Sequence, residues 1–489
     1  MSADAIMVLG TSSGAGKSWI TTAMCRALAQ RGLRVAPFKA QNMSNNARVV
    51  ASASGWGEIG SAQYFQALAA GATPHVDMNP VLLKPEADTR SQVVIGGRVD
   101  ATLSAMPWGE RSGLLWPHIT AALDRLREQV DVVVIEGAGS PAEINLMDRD
   151  IVNLRVAQHA DAACVLVSDI DRGGAFAHLY GTWALLPEAD RARLRGFVFN
   201  KFRGDPSLLA PGPEQLQALT GVPLLATLPW FPHHGLPEED WGWAAHGQST
   251  GAVHTTVAIV CGPQISNLDE FQALHNVNGV QVRWARRPAD VDGADWLLLP
   301  GSKDTLSDLR WLRQQGLDAA VHQHAARGGR ILGICGGLQM LGEALIDDQH
   351  IQGNVPGLGL LPLVTRFLPT KTVQPCTTRF GRLHGAWQAL SGLPLSGYEI
   401  HQGQTVPHPG LVAAGQAPRE VLPGLAWQDA SGQVLGLYVH GLFEDAQVVR
   451  ALFGQGSQTL DGVFDALAAH WLSHGGEAAL DALRQASAR

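Results

Sequence analysis

Residues Ala5–Gly32 read AIMVLGTSSGAGKSWITTAMCRALAQRG. A short apolar run is followed by a loop of small residues and then by apolar positions at helical spacing, which predicts strand, loop and helix in that order. Such a loop points successive backbone N–H groups at a phosphate, and the helix N-terminus adds partial positive charge. Within it lie Gly14 and Gly16; Lys17 brings a full charge, and the Ser18 hydroxyl can ligand Mg2+. The strict pattern G-x-x-x-x-G-K-[ST] asks for glycine at position 11, where this chain has Thr11 and carries Gly10 one place earlier. The strand before the loop and the helix after it still mark a nucleotide site.

Outward from this unit, buried strands are predicted at RVAPFKA, DVVVIEGAG, AACVLVSD, GFVFNKF and PLLATLPW, with helical stretches between them. Their β-branched runs lack alternation, as in parallel strands covered on both faces. WFPHHGLPEEDWGWAAHGQSTGAVH, beginning at Trp230, has no clean periodicity and reads as a linker. A second α/β series follows in TVAIVCG, VQVRWA, DWLLLPGSKDT, RILGICGG, GYEIHQG and VLGLYVHGLF, and the tail shows helical spacing. The expected organisation is a nucleotide domain over 1–230, a linker over 231–253, a second α/β domain over 254–447 and a helical tail over 448–489 packed on that second domain.

With 489 residues the chain exceeds one ordinary core. No stretch approaches the ~18 consecutive apolar residues of a membrane span, and MSADAIMVLG lacks a basic n-region and a cleavage site. Five widely spaced cysteines without a Cys-x-x-Cys pair argue against a disulfide framework or zinc site and for a reducing, cytoplasmic setting. Net charge −8 does not suit nucleic acid or an anionic membrane as partner. The partners expected are small molecules, and homo-oligomerisation is compatible with the composition.

Glu136, at the end of DVVVIEGAG, stands at the carboxyl edge of the sheet, where it can anchor a metal with Ser18. Asn200 and Lys201 end another strand, with Asn200 suited to an amide contact with a base. Lys39 ends the second strand; Lys84, Arg90 and Arg98 follow in NPVLLKPEADTRSQVVIGGR. As a group these cations can screen substrate carboxylates and a phosphoryl group in transfer, with Lys39 and Lys84 the expected substrate or phosphate contacts.

RILGICGGLQMLG, Arg330–Gly342, reads as strand, tight turn and helix with Cys335 at the turn. A thiol at the first turn of a helix meets the positive dipole end, a setting that favours a nucleophilic thiolate. Gly336 permits close approach of a backbone N–H to an oxyanion, and Gly301, in DWLLLPGSKDT, can complete the hole. A thiol nucleophile needs a base. His440, closing VLGLYVH, is the expected base, and His401 in GYEIHQG is expected to shape the pocket. Cys25, Cys164, Cys261 and Cys376 read as structural, and His233 and His234 have no partner at ligand spacing.

On these motifs the C-terminal segment resembles the class I glutamine amidotransferase domains, which have a flavodoxin-like fold. The N-terminal segment resembles the dethiobiotin-synthetase-like P-loop NTPases. In this order the two halves look like the cobalamin-pathway amidases, and FKAQNMSNN, NPVLLKP, EGAGSPAEINLMDRDIVN and GFVFNKFRGD resemble one branch of them. The resemblance implies a ligase that uses ATP, Mg2+ and glutamine to amidate the b, d, e and g carboxylates of adenosylcobyrinic acid a,c-diamide. It implies Cys335 as nucleophile and His440 as proton carrier. A branch that forms the a,c-diamide is the close alternative. A partitioning-type ATPase is the remote one, disfavoured by Ser12 in place of that class's extra lysine and by Cys335. Triad glutaminases usually place Glu two residues after the histidine. Here that position is Leu442, and Glu444 stands four residues on, so what orients His440 stays open.

Overall fold

Two α/β units make up the chain in the computed structural model, which describes residues 3–87, 90–232, 234–237, 252–348, 353–454, 456 and 458–487. The first unit comprises Met1–Ser44, Val50–Asp240 and Leu460–Arg489; the second comprises Asn45–Val49 and Trp241–Thr459. Most of the expected linker, together with His233, lies outside the described residues.

Six parallel strands form the sheet of the first unit: β1 (Asp4–Gly10), β2 (Val35–Phe38), β3 (Val132–Glu136), β4 (Ala163–Asp169), β5 (Leu194–Phe202) and β6 (Leu224–Pro229). Their order is β6-β5-β4-β1-β3-β2. Successive strand side chains point to opposite faces. Ala5, Met7 and Leu9 therefore enter one core while Ile6 and Val8 enter the other. α1 (Lys17–Gln30) covers the second face through Ile20, Met24 and Leu28, and α2 (Trp108–Arg127) covers the first through Leu115, Ile119 and Leu126. Coverage on both sides explains why β2, β3 and β4 are buried at every residue and carry no alternation. The chain runs from β1 to β2 and β3 on one side, then crosses to β4 on the other, and this reversal puts the ligand crevice at the carboxyl ends of the strands.

The second unit has a seven-stranded sheet: β7 (Thr255–Val260), β8 (Val280–Ala285), β9 (Trp296–Leu299), β10 (Arg330–Ile334), then β13 (Arg419–Leu422), β14 (Ala426–Gln428) and β15 (Val434–Leu437). The order is β8-β7-β9-β10-β15-β14-β13, parallel through β15 and antiparallel over the last two pairs. Between β10 and β13, β11 (Leu363–Arg379) and β12 (Pro394–Pro407) pair antiparallel in a separate four-stranded sheet. GYEIHQG belongs to β12 and is not a strand of the main sheet. α3 (Thr305–Gln314), α4 (Gly336–Leu341) and α5 (Ala446–Phe453) supply core residues such as Leu309, Leu338 and Val449.

The tail departs from expectation beyond α5. α6 (Leu460–Trp471) and α7 (Glu477–Ser487) pack in the first unit, where Phe464, Leu467, Trp471, Leu480 and Leu483 join the core formed by Ile6, Val8 and Ile20. Arg26 meets Asp465 at 2.7 Å, and Arg31 meets Glu477 at 2.7 Å and Asp481 at 2.8 Å. Helical spacing gives each tail helix an apolar face but does not say which sheet receives it. The buried apolar contact holds them on the first unit, and the exposed ion pairs along α1 add little to it.

Candidate active sites

The phosphate loop is held from four sides. Gly10 lies beneath Lys17, whose Cδ, Cγ and Nζ are each 3.1 Å from where a Cβ would be. Thr11 is tied to β4, its N–H donating to the Val167 carbonyl at 2.9 Å and its hydroxyl to Ser168 at 3.2 Å. It needs no glycine freedom, which accounts for the departure from the strict motif. Gly16 does need it: φ is 102°, and a Cβ would stand 2.0 Å from the Asn200 amide nitrogen. That amide donates to the Ala15 carbonyl at 2.8 Å, so buried Asn200 holds the loop from β5 instead of standing free for a base. Lys201, also at positive φ, donates to Gly14 at 2.9 Å and Asp169 at 3.0 Å.

Lys17 donates to the carbonyls of Ser12 and Gly139, both at 3.0 Å, bringing the stretch after β3 against the loop. Glu136 is 1% exposed and is the centre of this site. Its Oε1 accepts from Ser18 at 2.9 Å and Lys39 at 2.8 Å, and its Oε2 accepts from Gln66 at 2.5 Å. Burial alone would raise its pKa, but the Lys39 charge, with the Lys39 and Gln66 hydrogen bonds, holds it below the ordinary carboxylate value. The Ser18–Glu136 oxygen spacing of 2.9 Å suits adjacent ligands of one Mg2+, since oxygens at about 2.0–2.1 Å from an octahedral ion lie about 2.9 Å apart. These two residues fit a magnesium ion and would be the ones to hold it.

Lys84 does not join this group through Glu136. It is buried against Glu58, Nζ to Oε2 2.5 Å. Arg98 donates to the Ser54 carbonyl, and exposed Arg90 stands beside Glu86. A cavity of about 250 Å3 opens between α2 and the stretch after β3, with Gly139, Trp108, Leu115, Leu146 and Met147 in its lining. Trp108 and Leu146 are 45% and 39% exposed.

In the second unit Cys335 follows β10 at φ 50° and ψ −103°, a conformation outside the helical and extended regions. Its neighbours explain how it is tolerated. A Cβ at Gly337 would fall 1.8 Å from the Leu299 carbonyl oxygen, and one at Gly333 2.6 Å from the Gly337 backbone. Only glycines let β10 and α4 close around the cysteine. Its N–H donates to Leu437, fixing it beside β15.

His440 lies three residues beyond the end of β15, joined to Tyr398 by a reciprocal pair of backbone hydrogen bonds, and does not close the strand as expected. Its Nδ1 meets Glu270 at 2.9 Å, and Cys335 is its other side-chain partner. The second Glu270 oxygen accepts from the Gly441 N–H at 3.1 Å. Glu270 and His440 are 0% and 1% exposed. Burial favours the neutral ring, but the Glu270 charge and the Cys335 interaction outweigh it and raise His440 to about 10. Glu270 is thus the residue that orients His440. It sits on the 3-10 turn Leu268–Phe271, shortly after β7. Leu442 is core packing, and Glu444 pairs with Arg48 at 2.5 Å. The one signal in the sequence was an acidic pair, Asp269–Glu270, enclosed by Leu268 and Phe271 after a buried strand.

Gly301 lies against the same ring: a Cβ there would be 2.9 Å from His440 Cε1, and a Cβ at Gly336 would be 2.8 Å from the Ser302 nitrogen. The Ser302 hydroxyl donates to buried Asp308 at 2.7 Å and fixes this turn. His401 is bonded to Glu399 at 3.0 Å and stacks on Tyr438 at 4.0 Å, apart from the His440–Glu270 pair. Tyr438 bonds Thr405 at 2.6 Å and Gln339 at 3.4 Å. Cys25, Cys164 and Cys261 are buried in the cores, and burial raises each thiol, Cys164 to about 12. Cys376 is buried as well.

A buried sulfur, imidazole and carboxylate in sequence can carry a thiol nucleophile and move its proton. The phosphate loop and neutralised carboxylate can position a nucleotide phosphate. Two family models match accordingly. Residues 6–237 match the CobQ/CobB/MinD/ParA nucleotide binding domain, and residues 256–448 match the CobB/CobQ-like glutamine amidotransferase domain. Fold and sites together define a glutamine-dependent amidoligase with a P-loop nucleotide-binding half. Relatives matching over nearly their whole length narrow this further. Cobyric acid synthase of Acidovorax ebreus (strain TPSY) is 65% identical over 99% of each chain, and that of Paracidovorax citrulli (strain AAC00-1) is 66% identical over 96% of each. Cobyric acid synthase of Variovorax paradoxus (strain S110) is also 66% identical over 96% of each. The chain belongs to the cobyric acid synthase family.

Among the described residues no helix is long and apolar enough to cross a membrane.

Proposed function

We propose that this enzyme converts the b, d, e and g carboxylates of adenosylcobyrinic acid a,c-diamide into amides, using ATP, Mg2+ and glutamine, and that it works in the cytoplasm. A carboxylate does not react with ammonia at neutral pH. ATP therefore phosphorylates it to an acyl phosphate, ammonia displaces phosphate, and the amide remains. Lys17 and Lys39 offset the charge gathered during phosphoryl transfer, with Lys84 a further contact once released from Glu58. Gly14 and Gly16 turn the loop toward the phosphates, and Asn200 keeps it in place. Ser18 and Glu136 hold the magnesium ion, which when bound neutralises phosphate charge.

At the other site the Cys335 sulfur attacks the glutamine amide carbon while the proton rests on His440. The N–H groups around Gly301 and Gly336 receive the oxyanion, and His440 returns the proton to the departing ammonia. Water then clears the thioester to give glutamate, with His440 as base. Glu270 holds the ring with Nε2 toward sulfur and stabilises the imidazolium between these transfers.

The observation that carries the substrate assignment is the likeness to relatives named cobyric acid synthase over nearly the full length of both chains. Its test is mass spectrometry of products after incubation with ATP, Mg2+, glutamine and a panel of corrinoid acids. Four acids of the a,c-diamide should become amides. Two conversions on unamidated cobyrinic acid, with the a,c-diamide untouched, would move the enzyme to the a,c-diamide-forming branch.

A further inference from the structure

The stretch SNNARVV contains a segment, Asn45–Val49, whose contacts place it in the second unit although Ser44 and Val50 on either side belong to the first. It is bound closely. The Ala47 N–H donates to the Asn267 side chain at 3.1 Å, and the Leu268 N–H donates to the Asn46 side chain at 2.9 Å. Arg48 follows, 1% exposed. Its Nε and Nη2 both donate to one oxygen of Asp269, the former at 2.9 Å, while Nη1 meets Glu444 at 2.5 Å. Its guanidinium also lies over the Tyr398 ring at 5.2 Å, and Tyr398 stacks on His440 with centroids 5.2 Å apart.

Asp269 is the residue before Glu270, and Glu444 ends the short turn that follows Gly441. Arg48 therefore spans the two backbone turns that must stay in register for Glu270 to reach both His440 and Gly441. It also supplies positive charge between the buried Asp269 and Glu270 and the exposed Glu444. Without it, the like charges of these carboxylates would drive the turns apart.

We infer that Arg48 is a positioning residue of the glutaminase site, aligning the Leu268–Phe271 and Leu442–Glu444 turns so that Glu270 stays directed at His440. The inference rests on the proposed glutaminase chemistry. It assigns to SNNARVV a role in ammonia production, although this stretch lies only a few residues beyond Lys39 of the nucleotide site.

Two variants of the full-length enzyme test it. Arg48→Met removes the charge and the fork; Arg48→Lys keeps the charge but cannot serve both carboxylates in the same geometry. For glutamine hydrolysis, Arg48→Met should lose roughly tenfold or more in kcat with KM for glutamine nearly unchanged, because transition-state alignment is lost and not binding. Arg48→Lys should fall between wild type and Arg48→Met, and amidation driven by ammonium salts should be retained in both. Should Arg48→Met fail to fold, Arg48→Lys alone decides, with a kcat loss at unchanged KM supporting the inference. Wild-type kcat in Arg48→Lys and in any folded Arg48→Met, or losses shared equally by KM and by ammonium-driven amidation, would overturn it. Absence of glutamine hydrolysis in the wild type would instead refute the proposed function.

Discussion

Replacing Glu270 with glutamine keeps the shape behind His440 and removes the charge. In the wild type the ring is fully buried, which favours its neutral form, yet the Glu270 carboxylate 2.9 Å from Nδ1 and the Cys335 sulfur raise it to about 10. The raised value leaves an imidazolium at neutral pH, and Glu270 is the buried anion bonded to it. A hydrogen bond to a charged group is worth about 1.5–3 kcal/mol, so its loss should lower kcat for glutamine hydrolysis about 10–150-fold. The assay is glutamate release under saturating glutamine, run beside amidation driven by ammonium salts, which should survive. A second consequence concerns stability. Because the folded-state value lies above the unfolded one, ionised His440 stabilises the fold below pH about 6.5 and loses that contribution as pH climbs through about 10. Glu270→Gln should remove that dependence, so the melting-temperature gap between wild type and variant should shrink across the same range. Glutamine hydrolysis within threefold of wild type, or equal loss of ammonium-driven amidation, would refute the assignment of Glu270.

Cys335→Ser should abolish glutamine-driven amidation while ammonium-driven amidation continues, and loss of both would break the division of labour. Lys17→Ala should stop amide formation from either donor with basal glutamine hydrolysis intact, as checked by glutamate release without ATP. Trp471→Ala removes a fully buried ring from the first unit's core. It should cost about 3–5 kcal/mol, read as earlier denaturant-induced loss of ammonium-driven amidation. Selective loss of glutamine hydrolysis instead would contradict the packing of α6.

Much of this molecule is local and could therefore be read from the sequence. The phosphate loop, the Cys335 elbow and the strand-end position of Glu136 each follow from a few contiguous residues under tight steric rules. At Gly16 and Gly337 a side chain would collide with Asn200 or the Leu299 carbonyl. What escaped was set by contacts between distant residues. Glu270 reaches His440 across 170 positions, and nothing in SNLDEFQ says which acid faces the imidazole and which faces Arg48. Lys84 read as a substrate or phosphate contact because its partner Glu58 sits on another element. The tail helices announced an apolar face but not the sheet that would receive it. Asn200 was located correctly at a strand end, yet its amide serves the loop backbone, a role that only three-dimensional proximity discloses.

Whether ammonia made at Cys335 is the nitrogen consumed at the nucleotide site is read by supplying glutamine labelled with heavy nitrogen in its amide together with unlabelled ammonium. Mass spectrometry then reads the amides formed on the corrinoid acid. Wild-type product should carry the heavy label and Cys335→Ser product should be light. Light product from both, or heavy product from Cys335→Ser, would contradict the account.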